Sequence, residues 1–400
     1  MAERVASWPS APAHWSYTSL KVALECPRRW ALREAGLQPA PTSMTLTRSS
    51  ALVGRIRGGA SHAMLQRMIG LHCQHNGPRA GTPEMISFWR EHMPAGLLAT
   101  TQDVVREELA RAVAGTNIDG IALRELQHQC EAGLREIVNF VTASFRVALE
   151  ILGKGSPQGT ILNGAKTALE PGLRSEIPVS ARLGSDRATY WFGRIDVVVI
   201  TNSTIALIDF KTGHPSPEHR VQLELYALLF ARDRKLNPCG RRVDNLILVY
   251  PNAEIIRWLA PGDTQLAELE RAVASQATIA SEQINASPPV ARPEPSRCAP
   301  CDMRAHCDAY WVQLPHDLKF GEYRVDLRIE VESVRGDTEV VGRLVAPGRD
   351  RLVLLFRPRR PPSVRVGELL RVVGATPVSD QGEAEALLVF EVGAGSVISE

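Results

Sequence analysis

Apolar positions recur at helical spacing through the first third of the chain and at strand spacing through the middle and the end. In WSYTSLKVALECPRRWALREAG, Leu20, Leu24 and Trp30 fall near one helical face, with Thr18 or Ser19 as the capping residue. Residues 51–70, 101–114 and 121–152 continue that style, rich in Ala, Leu, Glu and Arg. Between them LHCQHNGPRAGTPE, broken by Asn, Gly and Pro, reads as a loop. After Gly172 the period shortens. LRSEIPVSARL, ATYWFGRIDVVVI, STIALIDFKTG, NLILVY and EIIRWL are short β-branched or aromatic runs that predict strands. One amphipathic helix, HRVQLELYALLFARDRK, interrupts them, and this order predicts an α/β core with a mixed sheet. A further helix over about 264–286 leads into the proline-rich linker SPPVARPEP.

The end of the chain has another rhythm. RVDLRIEVES places Val325, Leu327, Ile329 and Val331 on one side, as a half-buried strand should. TEVVGRLVA, DRLVLLF, VGELLRVVG and ALLVFEV follow between turns, so residues 318–400 read as a separate, small all-β barrel.

Composition narrows the class. A chain of 400 residues exceeds one ordinary domain, and 44% hydrophobic with 22% charged residues excludes wholesale disorder and fibrous repeats. Lys plus Arg at 46 against Asp plus Glu at 44 advertises no nucleic acid overall, although a local basic groove is compatible with it. The opening MAERVASWPSAPAHW has no basic segment followed by an apolar run, and no stretch reaches membrane-helix length. A cytoplasmic setting without membrane contact is expected. Seven cysteines in such a chain point to metal or cluster ligation rather than a disulfide framework.

The candidate chemistry lies in GRID at 193–196 and IDFKTG at 208–213. Each acid follows a strand-like run, so adjacent strands can bring Asp196 and Asp209 to one sheet edge, where hard oxygen ligands suit Mg²⁺ or Mn²⁺. Lys211 shares a strand face with Asp209 and can orient water or stabilise charge building on a phosphate. The bland alternative is a surface salt bridge at a strand end. Gln222 and Tyr226, spaced i, i+4, share one helix face, as site residues or as a solvated Gln beside a packed Tyr. RCAPCDMRAHC sets out Cys298, Cys301 and Cys307, with Cys26 far upstream in CPRRW. Such spacing accommodates zinc or a [4Fe–4S] cluster equally.

In that order, GRID, DFKTG and QLELY resemble the PD-(D/E)XK nuclease superfamily, specifically its RecB-like exonucleases. GGASHAML at 58–65 is similar to the family helix that carries a metal-binding histidine, here His62, and YTSLKVALECPRRW resembles the start of the iron–sulfur branch. The resemblance spans roughly residues 15–310, with a divergent helical insertion at 72–165. It implies a mixed-sheet nuclease domain over 1–314 and a metal held by His62, Asp196 and Asp209 with the Phe210 carbonyl. Lys211 would be the catalytic lysine, with Gln222, Tyr226 and Glu176 (or Glu170) as further site residues. It also implies a [4Fe–4S] staple on Cys26, Cys298, Cys301 and Cys307 rather than zinc. The expected activity is exonucleolytic hydrolysis of single-stranded DNA in repair, CRISPR adaptation or phage defence. The rivals are a catalytically silent DNA-binding subunit and a zinc-stapled scaffold.

The all-β unit resembles an OB-fold more weakly. Residues 343–371 hold eight arginines against two acids, and FRPRRPP gathers Arg357, Arg359 and Arg360 as candidates for following DNA, or for a protein-docking loop. No G-x-x-x-x-G-K-[ST] occurs, so any unwinding falls to a separate helicase partner.

Overall fold

The computed structural model describes residues 7–37, 50–79, 81–114, 120–154, 171–184, 189–251, 254–313, 325–336, 339–345, 352–356, 364–379, 387–391 and 397–399. Arg357, Arg359, Arg360 and Glu170 lie outside the described residues. The chain forms two compact units, one of Pro12–Thr18 with Ser50–Thr278, the other of Met1–Ala11, Ser19–Ser49 and Ile279–Glu400.

The elements begin with β1 (His14–Trp15), α1 (Tyr17–Glu25) and α2 (Pro27–Glu34), then α3 (Ser50–Gln74), α4 (Glu84–His92) and α5 (Leu97–Val113). Next come α6 (Gly120–Glu131), α7 (Leu134–Lys154), β2 (Gly172–Leu183), β3 (Thr189–Ile200), β4 (Ile205–Phe210) and α8 (Pro217–Arg232). β5 (Asn245–Val249), β6 (Ile255–Leu259) and α9 (Asp263–Asn285) close the series that contains the sheet.

In the first unit β3 is the axis of a mixed sheet. β2 pairs antiparallel along one edge of β3 from Thr189 to Ile200. The other edge is shared: β1 lies parallel against Tyr190 and Trp191, and β4 antiparallel against Val197–Ile200. Between those two partners no strand pairs with this edge of β3, and Asp196 lies in that stretch. β4 pairs in parallel with β5 through the crossover helix α8, and β5 pairs antiparallel with β6. All six residues of β4, IALIDF, are buried, the continuous run expected of a strand covered on both faces. α8 starts as its sequence dictates, with the Ser216 hydroxyl accepting from the Glu218 N–H and Pro217 in the first turn.

Several elements differ from the sequence expectation. The helix expected over 121–152 is two, α6 and α7, parted at Gly133. A Cβ there would meet the Arg57 guanidinium at 2.3 Å, and Arg57 Nη2 donates to the Gln129 carbonyl at 2.6 Å. The helical N-terminal segment is likewise broken at Cys26, whose extended backbone (φ −158°, ψ 103°) precedes Pro27. α1 begins at Tyr17, ahead of Thr18 and Ser19, and α3 runs on to Gln74 into the expected loop.

In the second unit α2 carries Arg28, whose Nε and backbone N–H donate to the carbonyls of Pro289 and Val290 at 2.9 and 3.0 Å. Arg29 and Arg33 bind Asp302 at 3.2 and 2.8 Å. The two arginines of CPRR therefore hold the segment that follows α9. That segment contains α10 (Pro295–Cys298) and α11 (Asp308–Gln313). The remaining strands are β7 (Val325–Arg335), β8 (Glu339–Leu344), β9 (Leu352–Phe356), β10 (Leu369–Ser379), β11 (Leu387–Glu391) and β12 (Val397–Ser399). They lie in the order β11-β9-β8-β7-β10-β12, with a further pairing between β10 and β11. Leu327, Ile329, Val331, Val340, Val353, Leu370 and Val372 form their core. Asp326 gathers Arg304 Nε at 2.7 Å, the Tyr310 hydroxyl at 2.8 Å and the Gly374 N–H at 2.7 Å. The boundary expected near 314–318 lies inside this unit and outside the described residues. Among the described residues no helix is long and apolar enough to cross a membrane.

Candidate active site and cysteine pocket

The ladders of β2, β3 and β4 decide which acids meet. Ser175 pairs with Val197 and Ile177 with Ile195, so Glu176 stands directly opposite Asp196. Glu176 has φ 53°, a left-handed backbone that a residue with a Cβ seldom adopts, within an otherwise regular ladder. Strain of this kind costs about 1–3 kcal/mol and persists where surrounding structure imposes it. Its carboxylate lies with His62 of α3 and Asp196, the three offering ligand atoms all within 4.8 Å of one another.

The same ladder logic brings in β4. Val197 pairs with Ile208, which carries Asp209 to the level of Asp196. The Phe210 N–H donates to Asp196 Oδ2 at 2.7 Å, and His62 Nδ1 lies 3.5 Å from the same oxygen. Lys211 Nζ sits 2.7 Å from Asp209 Oδ2 and donates to Gln222 Oε1 at 2.9 Å. Gln222 Nε2 in turn donates to the Tyr226 hydroxyl at 2.8 Å. His62, Glu176, Asp196, Phe210, Asp209, Lys211, Gln222 and Tyr226 thus form one contiguous chain of contacts. The i, i+4 spacing on α8 works as a relay that aims the lysine.

Electrostatics fit a cation. Burial, then the charge of Asp209, pushes the Asp196 carboxyl well above its ordinary range, with Glu176 adding to it. Burial lowers His62, which favours the neutral imidazole that ligates metals. Crowded carboxylates beside a neutral imidazole are a donor set for a hard divalent ion. Burial also pushes the Tyr226 phenol up to about 12, so it remains a neutral hydrogen-bonding group.

Sequence reasoning missed the residues that shape the site without joining it. His219 Nδ1 lies 2.9 Å from the Tyr250 hydroxyl, and Tyr250 ends the run NLILVY beside the Lys211 backbone, whose N–H donates to the Val249 carbonyl. Parallel pairing of β4 with β5 was the signal that could have found it. The glycine of GRID also has a reason. A Cβ on Gly193 would lie 2.6 Å from the Tyr226 ring, so α8 packs this close only over glycine. Gly193→Val should therefore destabilise the fold by about 1–3 kcal/mol, read as a lowered midpoint in urea.

Cys26, Cys298, Cys301 and Cys307 line one pocket of about 290 Å³ in the second unit, with Arg29, Leu32 and Tyr310. Burial raises the Cys301 thiol and pushes that of Cys307 up to about 11. Cys73, Cys130 and Cys239 take no part in this pocket.

Fold and site together define a mixed-sheet α/β protein in which His62, Glu176 and Asp196 could hold a metal ion beside the central strand β3. The sequence profile of the PD-(D/E)XK nuclease superfamily matches residues 14–308, and the chain belongs to that superfamily. Nucleases of this superfamily usually depend on a divalent metal ion. No curated protein matches the chain. Among solved structures, that of SSO0001 is 15% identical with a TM-score of 0.24, covering 55% of this chain and 98% of its own. The Vibrio cholerae protein VC1899 is 14% identical with a TM-score of 0.19, covering 60% of this chain and 58% of its own.

Proposed function

We propose that the chain is a Mg²⁺- or Mn²⁺-dependent deoxyribonuclease of the RecB-like, iron–sulfur branch, acting as an exonuclease on single-stranded DNA. The observation that carries this reading is the His62–Glu176–Asp196 group joined to the Asp209–Lys211 pair. His62, Asp196 and Asp209 would hold the ion, with Glu176 and the Phe210 carbonyl as further ligands. When bound, the ion supplies Lewis-acid polarisation of the phosphate. The chain supplies the rest. Lys211, aimed by Asp209 and Gln222, orients water and meets the charge that builds on the phosphate. A silent DNA-binding subunit would have no need of an ammonium held this way.

Cys26, Cys298, Cys301 and Cys307 would hold a [4Fe–4S] cluster that fastens α2 to the segment around α10 and α11. Four thiols gathered in one pocket suit a soft metal centre, and the resemblance to the iron–sulfur branch favours the cluster over zinc. The pairing of β10 with both β7 and β11 supports an OB-like barrel, with Arg357, Arg359 and Arg360 as candidates to follow DNA. A helicase supplied by a partner would open duplexes, in repair, CRISPR adaptation or phage defence.

Labelled linear and circular single-stranded DNA test the activity. With Mn²⁺ the linear strand should be degraded, the circle should survive, and EDTA should stop the reaction. Cleavage of the circle would remove the exonuclease reading; inertness toward both would remove the nuclease reading.

A further inference from the structure

β3 carries more than Asp196. Trp191, Ile195 and Val197 are buried, and the alternate positions Tyr190, Phe192, Arg194 and Asp196 are the more accessible ones. Phe192 is 47% exposed, a cost that no packing in the first unit explains. The Arg194 side chain is 70% exposed, and its Nη1 lies 3.5 Å from Glu176 Oε2, a carboxylate of the cation group. Across the ladder, Pro178 faces Arg194 and Ser180 faces Phe192. The His14 ring meets Tyr190 edge-on at 4.8 Å.

These side chains line a groove of about 950 Å³ whose cations are Arg174, Arg194 and Lys235. Its acid, Asp233, is turned into the backbone and accepts from the N–H groups of Ser180, Lys235 and Leu236 at 2.8, 2.9 and 2.9 Å. The groove therefore presents positive charge and an exposed aromatic ring, and Arg194, in its lining, links it to the cation group through Glu176. Alternate residues on a strand stand about 6.7 Å apart, close to the step between nucleotides of an unstacked strand.

We propose that this groove is the track for the single-stranded part of the substrate, with a base stacked on Phe192 and Tyr190 and phosphates on Arg194 and Lys235. It rests on the nuclease reading and extends it to the residues that select an open strand. A duplex keeps its base faces inside the stack, whereas an open strand offers them to an aromatic side chain. The cations serve any sequence, because phosphate contacts position without reading bases.

The test uses the full chain in EDTA, where cleavage is blocked, with a fluorescent twelve-residue oligo-dT and a blunt duplex as probes. Phe192→Ala should weaken single-strand binding about tenfold, the loss of one base–aromatic stack, and leave duplex binding unchanged. Phe192→Trp should restore it. Arg194→Gln should flatten the slope of log K against log salt by about 0.7. Wild-type affinity for the single strand in Phe192→Ala would overturn the track, as would an equal loss for strand and duplex. Hydrolysis of bis(p-nitrophenyl) phosphate by the wild-type, Mn²⁺-loaded chain tests the nuclease reading separately, since that diester is too small to need the groove. Hydrolysis without strand selectivity sinks only the track; selectivity without hydrolysis sinks only the nuclease reading.

Discussion

Replacing Lys211 by alanine should lower phosphodiester cleavage by about 10³-fold or more while leaving the chain folded. The ammonium is held from two sides, by Asp209 Oδ2 at 2.7 Å and Gln222 Oε1 at 2.9 Å, and only 18% of the side chain is exposed. Removing one preorganised group that meets transition-state charge typically costs 10²–10³, and a positioned acid or base contributes 10²–10⁴. The backbone bond from the Lys211 N–H to Val249 survives the substitution, so β4 and β5 keep their ladder. Lys211→Arg should not rescue, because a planar guanidinium cannot occupy the place of a compact ammonium between those two oxygens. Asp209→Ala should fail in the same way. Initial rates on labelled single strands, beside circular dichroism of each variant, decide it. Cleavage by Lys211→Ala at the wild-type rate would show that the site is elsewhere.

The second large effect concerns the cysteine pocket. Protein prepared without oxygen should be brown and carry about four irons per chain. Cys301→Ala should lose the colour and unfold at least about 10 °C lower, because cluster binding and folding share their free energy. The reason is local. Cys26 sits at the break between α1 and α2, and Cys298, Cys301 and Cys307 sit on short turns around α10 and α11, elements too brief to hold their own shape. The protein bonds between these parts include Arg28 to the Pro289 and Val290 carbonyls, Arg29 and Arg33 to Asp302, and Arg292 to the Leu24 carbonyl. Stoichiometric zinc in colourless, active protein would replace the cluster by the other metal.

The mixed sheet was legible because its strands carry the strongest local signal available. IALIDF is buried throughout and NLILV from Leu246 onward, both apolar apart from Asp209 and Asn245, and GRIDVVVI changes from alternating to continuous where β3 enters the core. Helix boundaries were less legible. At the break by Gly133 the chain packs against Arg57, distant in sequence, a contact that no window of helical propensity can contain. β1 was invisible for a related reason: two residues, His14 and Trp15, become a strand only because β3 lies beside them. The two arginines of CPRR and the glycine of GRID stood out as motif letters, yet their tasks, reaching the Pro289 and Asp302 oxygens and admitting the Tyr226 ring, appear only in three dimensions.

The sequence by itself determined the chemistry available: the residue types His62, Asp196, Asp209, Lys211 and three clustered cysteines with a fourth far upstream, and the periodicities that put both acids on strands, although Asp196 lies within β3 rather than at its end. Those follow from local rules, since hydrophobic period and side-chain type act within a few residues of each other. Tertiary structure alone decided how the chemistry is distributed. The register of β2 on β3 set Glu176 opposite Asp196 in a left-handed backbone, and so placed Glu176 within the converging group while Asp209 turned to Lys211. The pairing of β2 with β3 set Pro178 and Ser180 opposite Arg194 and Phe192, so that all four line one groove. Pairing register and edge occupancy are relations between segments far apart in the chain, fixed by the packing of the whole sheet, and no local pattern encodes them.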